Sequence, residues 1–136
     1  MSVQLSSPPS LVGPTPYHHV AVASGTRQVR IAGQTAARAD GTLAAPGDLA
    51  GQVAQVLRNT RTALASAGAG FGDVVRLTFY VAGWSADQME PFMSGVHAVA
   101  EEVGLPVPMP PASLIGVAVL FEPGVLVELE ADAVLP

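Results

Sequence analysis

Pro111-Ala112-Ser113-Leu114-Ile115-Gly116-Val117-Ala118-Val119-Leu120, followed by Gly124-Val125-Leu126-Val127-Glu128-Leu129-Glu130-Ala131, decides how this chain folds. The two segments read as apolar strands, Leu114 to Phe121 and Val125 to Val134, joined by a turn near Glu122-Pro123-Gly124. A hairpin centred there sets Ser113 and Glu128 on neighbouring strands at about the same height. Successive strand side chains alternate between faces, so Glu128 and Glu130 share one. Two carboxylates on a strand with Val125, Val127 and Leu129 are costly if buried and unpaired. They either face solvent or line a polar site, and the pattern leaves both open.

Working outward, Val74 to Ala82 is another strand, in which Val75, Leu77, Phe79 and Val81 alternate with Arg76 and Thr78. Ahead of it, Leu49, Val53, Val56, Leu57, Thr60 and Leu64 recur at three- and four-residue steps, predicting an amphipathic helix. Asp48 caps its start and Gly68 ends it. The glycines from Gly68 to Gly72 do not form a phosphate loop, because they follow a helix and precede a strand. A second helix starts after Ser85, with Asp87 in its first turn, and runs to about Val103. Near the start, Tyr17 to Ala23 and Gln28 to Gly33 read as two strands of a hairpin turned by Ser24-Gly25, after an irregular stretch over 1–16. The order ββαβαββ predicts an α+β sandwich, with two helices on one face of a mostly antiparallel sheet.

At 136 residues the chain is a single domain, 1–136, large enough to build a core without staples. It has no cysteine, which excludes disulfides and thiolate metal sites. A net charge of −5, with six scattered arginines and no lysine, argues against a nucleic-acid groove. Charged residues are 12% of the chain, against a typical ~25%, while 49% are apolar. So little charge on so small a surface means either an unusually apolar surface or one partly covered by another subunit, and the second is expected. Val103 to Phe121 is uncharged and nearly long enough to span a bilayer, but Pro106, Pro108, Pro110 and Pro111 would break a helix there. No secretory signal is evident, and a cytoplasmic protein without membrane contact is expected.

Several segments, in order, resemble the RidA family (YjgF/YER057c/UK114), small trimeric proteins that hydrolyse reactive enamines and imines. They are Gly13-Pro14-Thr15-Pro16-Tyr17, Ile31-Ala32-Gly33-Gln34, Gln52 to Asn59, Ala67-Gly68, Gly72-Asp73-Val74-Val75-Arg76 and the carboxy-terminal pair of strands. The resemblance covers nearly the whole chain. It implies a chorismate-mutase-like sandwich assembled as a homotrimer, with ligand clefts between subunits and no cofactor. One departure stands out. Active imine deaminases of the family carry an arginine after the Pro-Ala pair, where it grips the substrate carboxylate; this chain has Ser113. A hydroxyl does not replace the fork of guanidinium donors. No other basic residue lies between Ser113 and the terminus.

The resemblance implies that Glu128 is the catalytic glutamate, which positions or activates water. It implies that Tyr17, Gly33 and Ser113 contact the ligand; the competing readings are a packing tyrosine, a strand-end glycine and a serine without a partner that would make it a nucleophile. His18 and His19, being adjacent, point to opposite faces of a strand and cannot make a metal pair, so no metal is expected. Trp84 reads as a packing residue. The leading expectation is a homotrimer that binds, and hydrolyses, a small enamine, imine or related carbonyl compound lacking the usual carboxylate, not the standard 2-imino acid. The alternative is a non-catalytic ligand-binding or regulatory trimer of the same fold.

Overall fold

The computed structural model describes residues 3–136. Strands β1 (Val3–Ser6), β2 (Val20–Ala23) and β3 (Arg27–Gln34) precede helix α1 (Leu49–Ser66). Then follow β4 (Val74–Ala82), helix α2 (Met89–Val103), β5 (Ala112–Val117) and β6 (Val127–Leu135). A four-stranded sheet has the order β3-β6-β4-β5, and β1 pairs with β2 in a separate ribbon. β6 runs antiparallel to both β3 and β4, while β4 and β5 are parallel, connected through α2. The expected α+β sandwich is therefore the observed architecture, with one further short strand at the start.

Local chemistry sets the element ends. Asp48 Oδ1 accepts the Gly51 N–H at 3.0 Å, capping α1 as its position predicts. Beyond the helix, Gly68 takes a left-handed φ of 77°, and the Ala69 N–H donates back to the Leu64 carbonyl at 2.9 Å. Ser85 opens a capping box with Gln88, whose side-chain oxygen accepts the Ser85 N–H at 2.7 Å; a single 3-10 turn over Ala86–Gln88 then leads into α2. Neither helix is long and apolar enough to cross a membrane.

The core lies between the helices and one face of the sheet. Val53, Val56, Leu57 and Leu64 of α1 and Phe92, Val96 and Val99 of α2 bury against Leu77, Phe79 and Val81 of β4 and Val127, Leu129 and Ala131 of β6. Phe79 meets Phe92 edge-on at a centroid distance of 5.0 Å. Trp84 packs edge-on to the same ring at 6.3 Å, as a packing residue would. Alternation then fixes the other face: Arg76, Thr78, Tyr80, Glu128, Glu130 and Asp132 all point away from the helices.

Three sequence expectations are corrected here. First, β2 and β3 do not form a hairpin. The eight residues of β3 pair with the nine of β6, from Arg27↔Leu135 to Gln34↔Leu129, a longer ladder than the four residues of β2 offer. Gly25 lies against the Leu135 carbonyl, where a side chain would collide. β2 turns back instead onto Val3–Ser6, within the stretch read as irregular; of that stretch, residues 1–2 lie outside the described residues. Second, β5 and β6 are not neighbours, because β4 lies between them. Third, β5 stops at Val117 rather than reaching Phe121. Its partner β4 ends at Ala82, the residue opposite Val117, so the chain beyond has no ladder to join.

Candidate functional site

Glu128 sits on β6 opposite Tyr80, half-buried on the face turned away from the helices. Its carboxylate lies directly over the α-carbon of Gly33 on β3, closer than any side chain at that position would permit. The β3–β6 register shifts between Ile31 and Gln34, so Gly33 belongs to an irregularity in the ladder. Such irregularities kink a strand and re-aim side chains. Here a residue without a side chain leaves room for an acidic one from the adjacent strand. The structure thus brings Gly33 and Glu128 into direct apposition.

Ser113 lies elsewhere. It pairs with Thr78 on β4, whose other neighbour is Glu130 on β6. Within one protomer Ser113 and Glu128 are therefore two strands and two residues of register apart. At ~4.8 Å per strand and ~3.3 Å per residue, their backbones are roughly 12 Å from each other. The hairpin expectation, which put them side by side, fails because the alternation of apolar residues specifies a face and not a neighbour. Tyr17 belongs to the Ser113 side. It forms an isolated parallel bridge with Met109, on the segment that leads into β5. The Met109 N–H donates to Pro16 O at 2.8 Å, and the His18 N–H donates to Met109 O at 2.7 Å. The Tyr17 ring meets His19 edge-on at 5.3 Å and, with His18 and Pro108, lines a hollow of about 470 Å³ walled by residues 6–9 and 11–15.

Sequence reasoning missed a residue. Arg76, on β4, extends its guanidinium to Ser113, and Nη2 donates to Oγ at 2.7 Å. A basic group thus stands beside position 113 after all, delivered by the parallel neighbour strand. The signal was present in the sequence, since Arg76 alternates outward from Leu77 and Phe79, but only the β4–β5 pairing locates it. The carboxylate across from it, Asp132, is held by Arg30 at 3.1 Å. Among the described residues Arg76 has no ion pair. Further along the face, the Tyr80 hydroxyl donates to Glu130 Oε1 at 2.7 Å. That hydrogen bond above all, then burial and the charges of Glu130 and Glu128, hold the Tyr80 phenol above its ordinary pKa; Arg76 opposes the effect.

Among the described residues no three His, Asp or Glu side chains converge as a metal site. One His19 ring nitrogen is hydrogen-bonded with the Val12 carbonyl at 2.9 Å, and His97 is exposed on α2.

The fold and this polar sheet face define a small α+β protein of the chorismate-mutase-like class. Over residues 10–135 the sequence matches the family model described as Endoribonuclease L-PSP. The chain belongs to that family, the Rid or YjgF/YER057c/UK114 proteins. A Rid-family protein of unknown function, YyfB from Yersinia pestis, is 34% identical over 99% of this chain and 100% of its own, with a TM-score of 0.88. Rv2704 from Mycobacterium tuberculosis, a YjgF/YER057c/UK114 family member, is 30% identical over 98% of this chain and 100% of its own, with a TM-score of 0.60. The YjgF gene product of E. coli is 25% identical over 98% and 99%, with a TM-score of 0.69. No curated protein matched the sequence.

Proposed function

We propose that the chain assembles as a cytoplasmic homotrimer whose clefts, between subunits, bind and hydrolyse a small reactive enamine, imine or related carbonyl compound. Glu128 holds the attacking water and takes its proton as the water oxygen bonds to the C=N carbon; that proton passes on to nitrogen, and the resulting carbinolamine collapses to carbonyl and free amine. Gly33 gives that carboxylate room, Tyr17 packs on the ligand, and Ser113 closes the far side. Ser113 has no guanidinium of its own, so the substrate is one other than the standard 2-imino acid.

The observation that carries this reading is the separation of the two halves. Glu128 and Gly33 sit at the β3–β6 side of the sheet, and Ser113 and Tyr17 at the β5 side, with β4 between. A small ligand cannot span that distance in one protomer, but a neighbouring subunit can bring its β5 side against this Glu128. The low charge content and the exposed apolar side chains on and after β5 support such a contact. The net charge of −5 supports a small molecule rather than RNA as the ligand.

Turnover of a panel of imines generated in place by an amine oxidase, with the 2-imino acid made by an amino-acid oxidase as the arm expected to react poorly, tests the proposal. Glu128→Gln should lower turnover about 10²-fold or more while the trimer persists. A panel that the wild type binds but does not turn over would instead identify the ligand-binding alternative.

A further inference from the structure

Charge is sorted along the open face of the sheet. On β6 the outward residues Glu128, Glu130 and Asp132 lie opposite Tyr80, Thr78 and Arg76 of β4 in turn. Both arginines of this face, Arg30 and Arg76, stand level with Asp132, four residues of β6 from Glu128, or about 13 Å of backbone. Arg30 is paired with Asp132 at 3.1 Å, and Arg76 turns toward β5 to donate to Ser113. Opposite Glu128 stands Tyr80, half-buried, whose hydroxyl hydrogen is committed to Glu130 Oε1 at 2.7 Å. A phenol has one hydrogen to donate; with that hydrogen taken, its oxygen presents lone pairs only. Ionised Glu128 and Glu130 likewise accept and do not donate. On β4 and β6 the polar side chains level with Glu128 therefore accept hydrogen bonds and donate none to a ligand.

We propose that Tyr80 determines specificity at this site: its hydroxyl oxygen accepts a hydrogen bond from the N–H of a protonated imine, so that the ligand class is an iminium cation derived from an amine, with no acid group. The proposal rests on the cleft at Glu128 proposed above and narrows what it takes. Protonation draws electrons from the imine carbon and makes it the form that water attacks. Hydrogen bonds to a charged form stabilise that form, so acceptors around the nitrogen keep the proton there while Glu128 holds the water. Glu130 is a positioning residue. By taking the phenol hydrogen it leaves the oxygen lone pairs for the ligand, and hydrogen bonds in such a chain polarise one another, which makes the phenol a stronger acceptor. The charges of Glu130 and Glu128 both act on this phenol and disfavour its ionisation, so it remains a neutral acceptor. A carboxylate placed at this end of the face would meet two like charges, whereas an iminium meets two opposite ones.

An amidinium is a stable, planar stand-in for an iminium, carrying its positive charge on a C–N unit with N–H donors. The test titrates propionamidinium, propionamide and propionate against the full-length protein at about 0.15 M salt, where distant surface charges are screened, following backbone amide chemical shifts. The amidinium should bind roughly tenfold more tightly than the amide, and propionate more weakly than either. Tyr80→Phe keeps the ring, loses the oxygen and should bring the amidinium-to-amide ratio down to about twofold. Glu130→Ala frees the phenol hydrogen to donate and should lower the ratio too. Glu130→Gln, whose side-chain oxygen still takes that hydrogen, should retain more of it than Glu130→Ala, an order that a purely structural role for Glu130 would not produce. Circular dichroism and light scattering confirm that each variant keeps fold and assembly. A ratio unchanged or raised in Tyr80→Phe would overturn the assignment, since Glu130 alone would then attract the cation. So would a preference that survives Glu128→Trp, which would be a general attraction to a chain of net charge −5, and so would tightest binding of propionate. Equal binding of amidinium and amide, both abolished by Glu128→Trp, would overturn the role of Tyr80 and leave the cleft standing. Failure of all three probes to bind at millimolar concentration would remove the cleft as well.

Discussion

Glu128 and Gly33 occupy one space: the carboxylate of the first fills the volume where a side chain on the second would be. The two residues are far apart in sequence and meet because β6 is inserted beside β3. Neither residue alone carries a recognisable signal. A glycine at a strand end has many explanations, and so has a glutamate on an outward face. Their apposition has fewer, since it keeps an acidic group half-buried at an irregularity of the ladder, where no basic partner neutralises it among the described residues.

Gly33→Ala tests that relationship. The new methyl meets the Glu128 side chain from its carboxylate back to Cγ, and Gly33 does not adopt a left-handed φ, so the backbone accepts alanine once that side chain swings aside. Stability should change by less than about 1 kcal/mol, with the lower chain entropy of alanine in the unfolded state offsetting part of the crowding. The carboxylate must swing aside, and a misplacement of about 1 Å costs on the order of 10²-fold in rate. Thermal melts and turnover measured on one preparation separate the effects. Unimpaired turnover would show that the position of Glu128 is irrelevant.

Gln52 is the second expected point of sensitivity. It is a polar side chain buried to 0% exposure within α1. Its Nε2 donates to Gly124 O at 3.0 Å and to Ala45 O at 3.3 Å, and its Oε1 accepts the Leu126 N–H at 2.9 Å. One amide thus ties the helix to the loop that leads into β6. Gln52→Leu keeps the volume and leaves the Leu126 N–H and Gly124 carbonyl without that partner. Unsatisfied buried groups cost about 1–3 kcal/mol each, so a loss of roughly 2–5 kcal/mol is expected in urea denaturation. A loss under about 0.5 kcal/mol would mean that water replaces the amide freely.

The helices and the faces of the strands were legible in the sequence, and the neighbours were not. Asp48, Gly68 and Ser85 mark ends through local chemistry, and the outward set of Arg76, Thr78, Glu128 and Glu130 follows from alternation alone. Pairing is different. The period of two assigns each side chain a face but says nothing of which strand lies beside it. The turn read at Glu122-Pro123-Gly124 lies instead in a connection, over 118–126, that carries the chain past β4. Arg76 meeting Ser113 depends on the same topology, since parallel strands joined through a helix juxtapose residues with no local sequence relation. The resemblance to a known family supplied Tyr17, Gly33, Ser113 and Glu128, and the departure at 113 directed attention to the place where Arg76 was then found.

Assembly is the third prediction. Light scattering at micromolar concentration should give three times the 13.8 kDa chain mass. Ile115, Val119 and Phe121 are 43%, 77% and 71% exposed in the protomer. Ile115 shares the open sheet face with Tyr80 and Glu128 at the same level of the register. Ile115→Lys would place an unpaired charge in a subunit contact there, a penalty of several kcal/mol, and should shift the population toward monomer. A wild-type protein that is monomeric under these conditions would remove the trimer and with it the cleft between subunits.

The last prediction concerns pH. Tyr80 donates its hydroxyl proton to Glu130, and ionisation would lose that bond and place a phenolate against a carboxylate. Its pKa therefore lies above the ordinary 10.0, with the hydrogen bond to Glu130 as the main cause and burial next. The sign for stability follows directly. The neutral phenol is favoured by folding, so the contribution is full below the unfolded value near 10 and is lost as pH rises through the folded value. Ultraviolet difference spectra between wild type and Tyr80→Phe isolate this phenol from Tyr17 and Trp84. They should show it titrating later than a free tyrosine, and Glu130→Ala should bring it back toward the ordinary value. In parallel, any stability advantage of wild type over Tyr80→Phe should be constant up to about pH 10 and shrink above it. A Tyr80 that titrates no later than a free tyrosine would mean that Glu130 is turned away from it, and the ordered polar face on which Arg76 and Glu128 also stand would lose one of its hydrogen-bonded anchors.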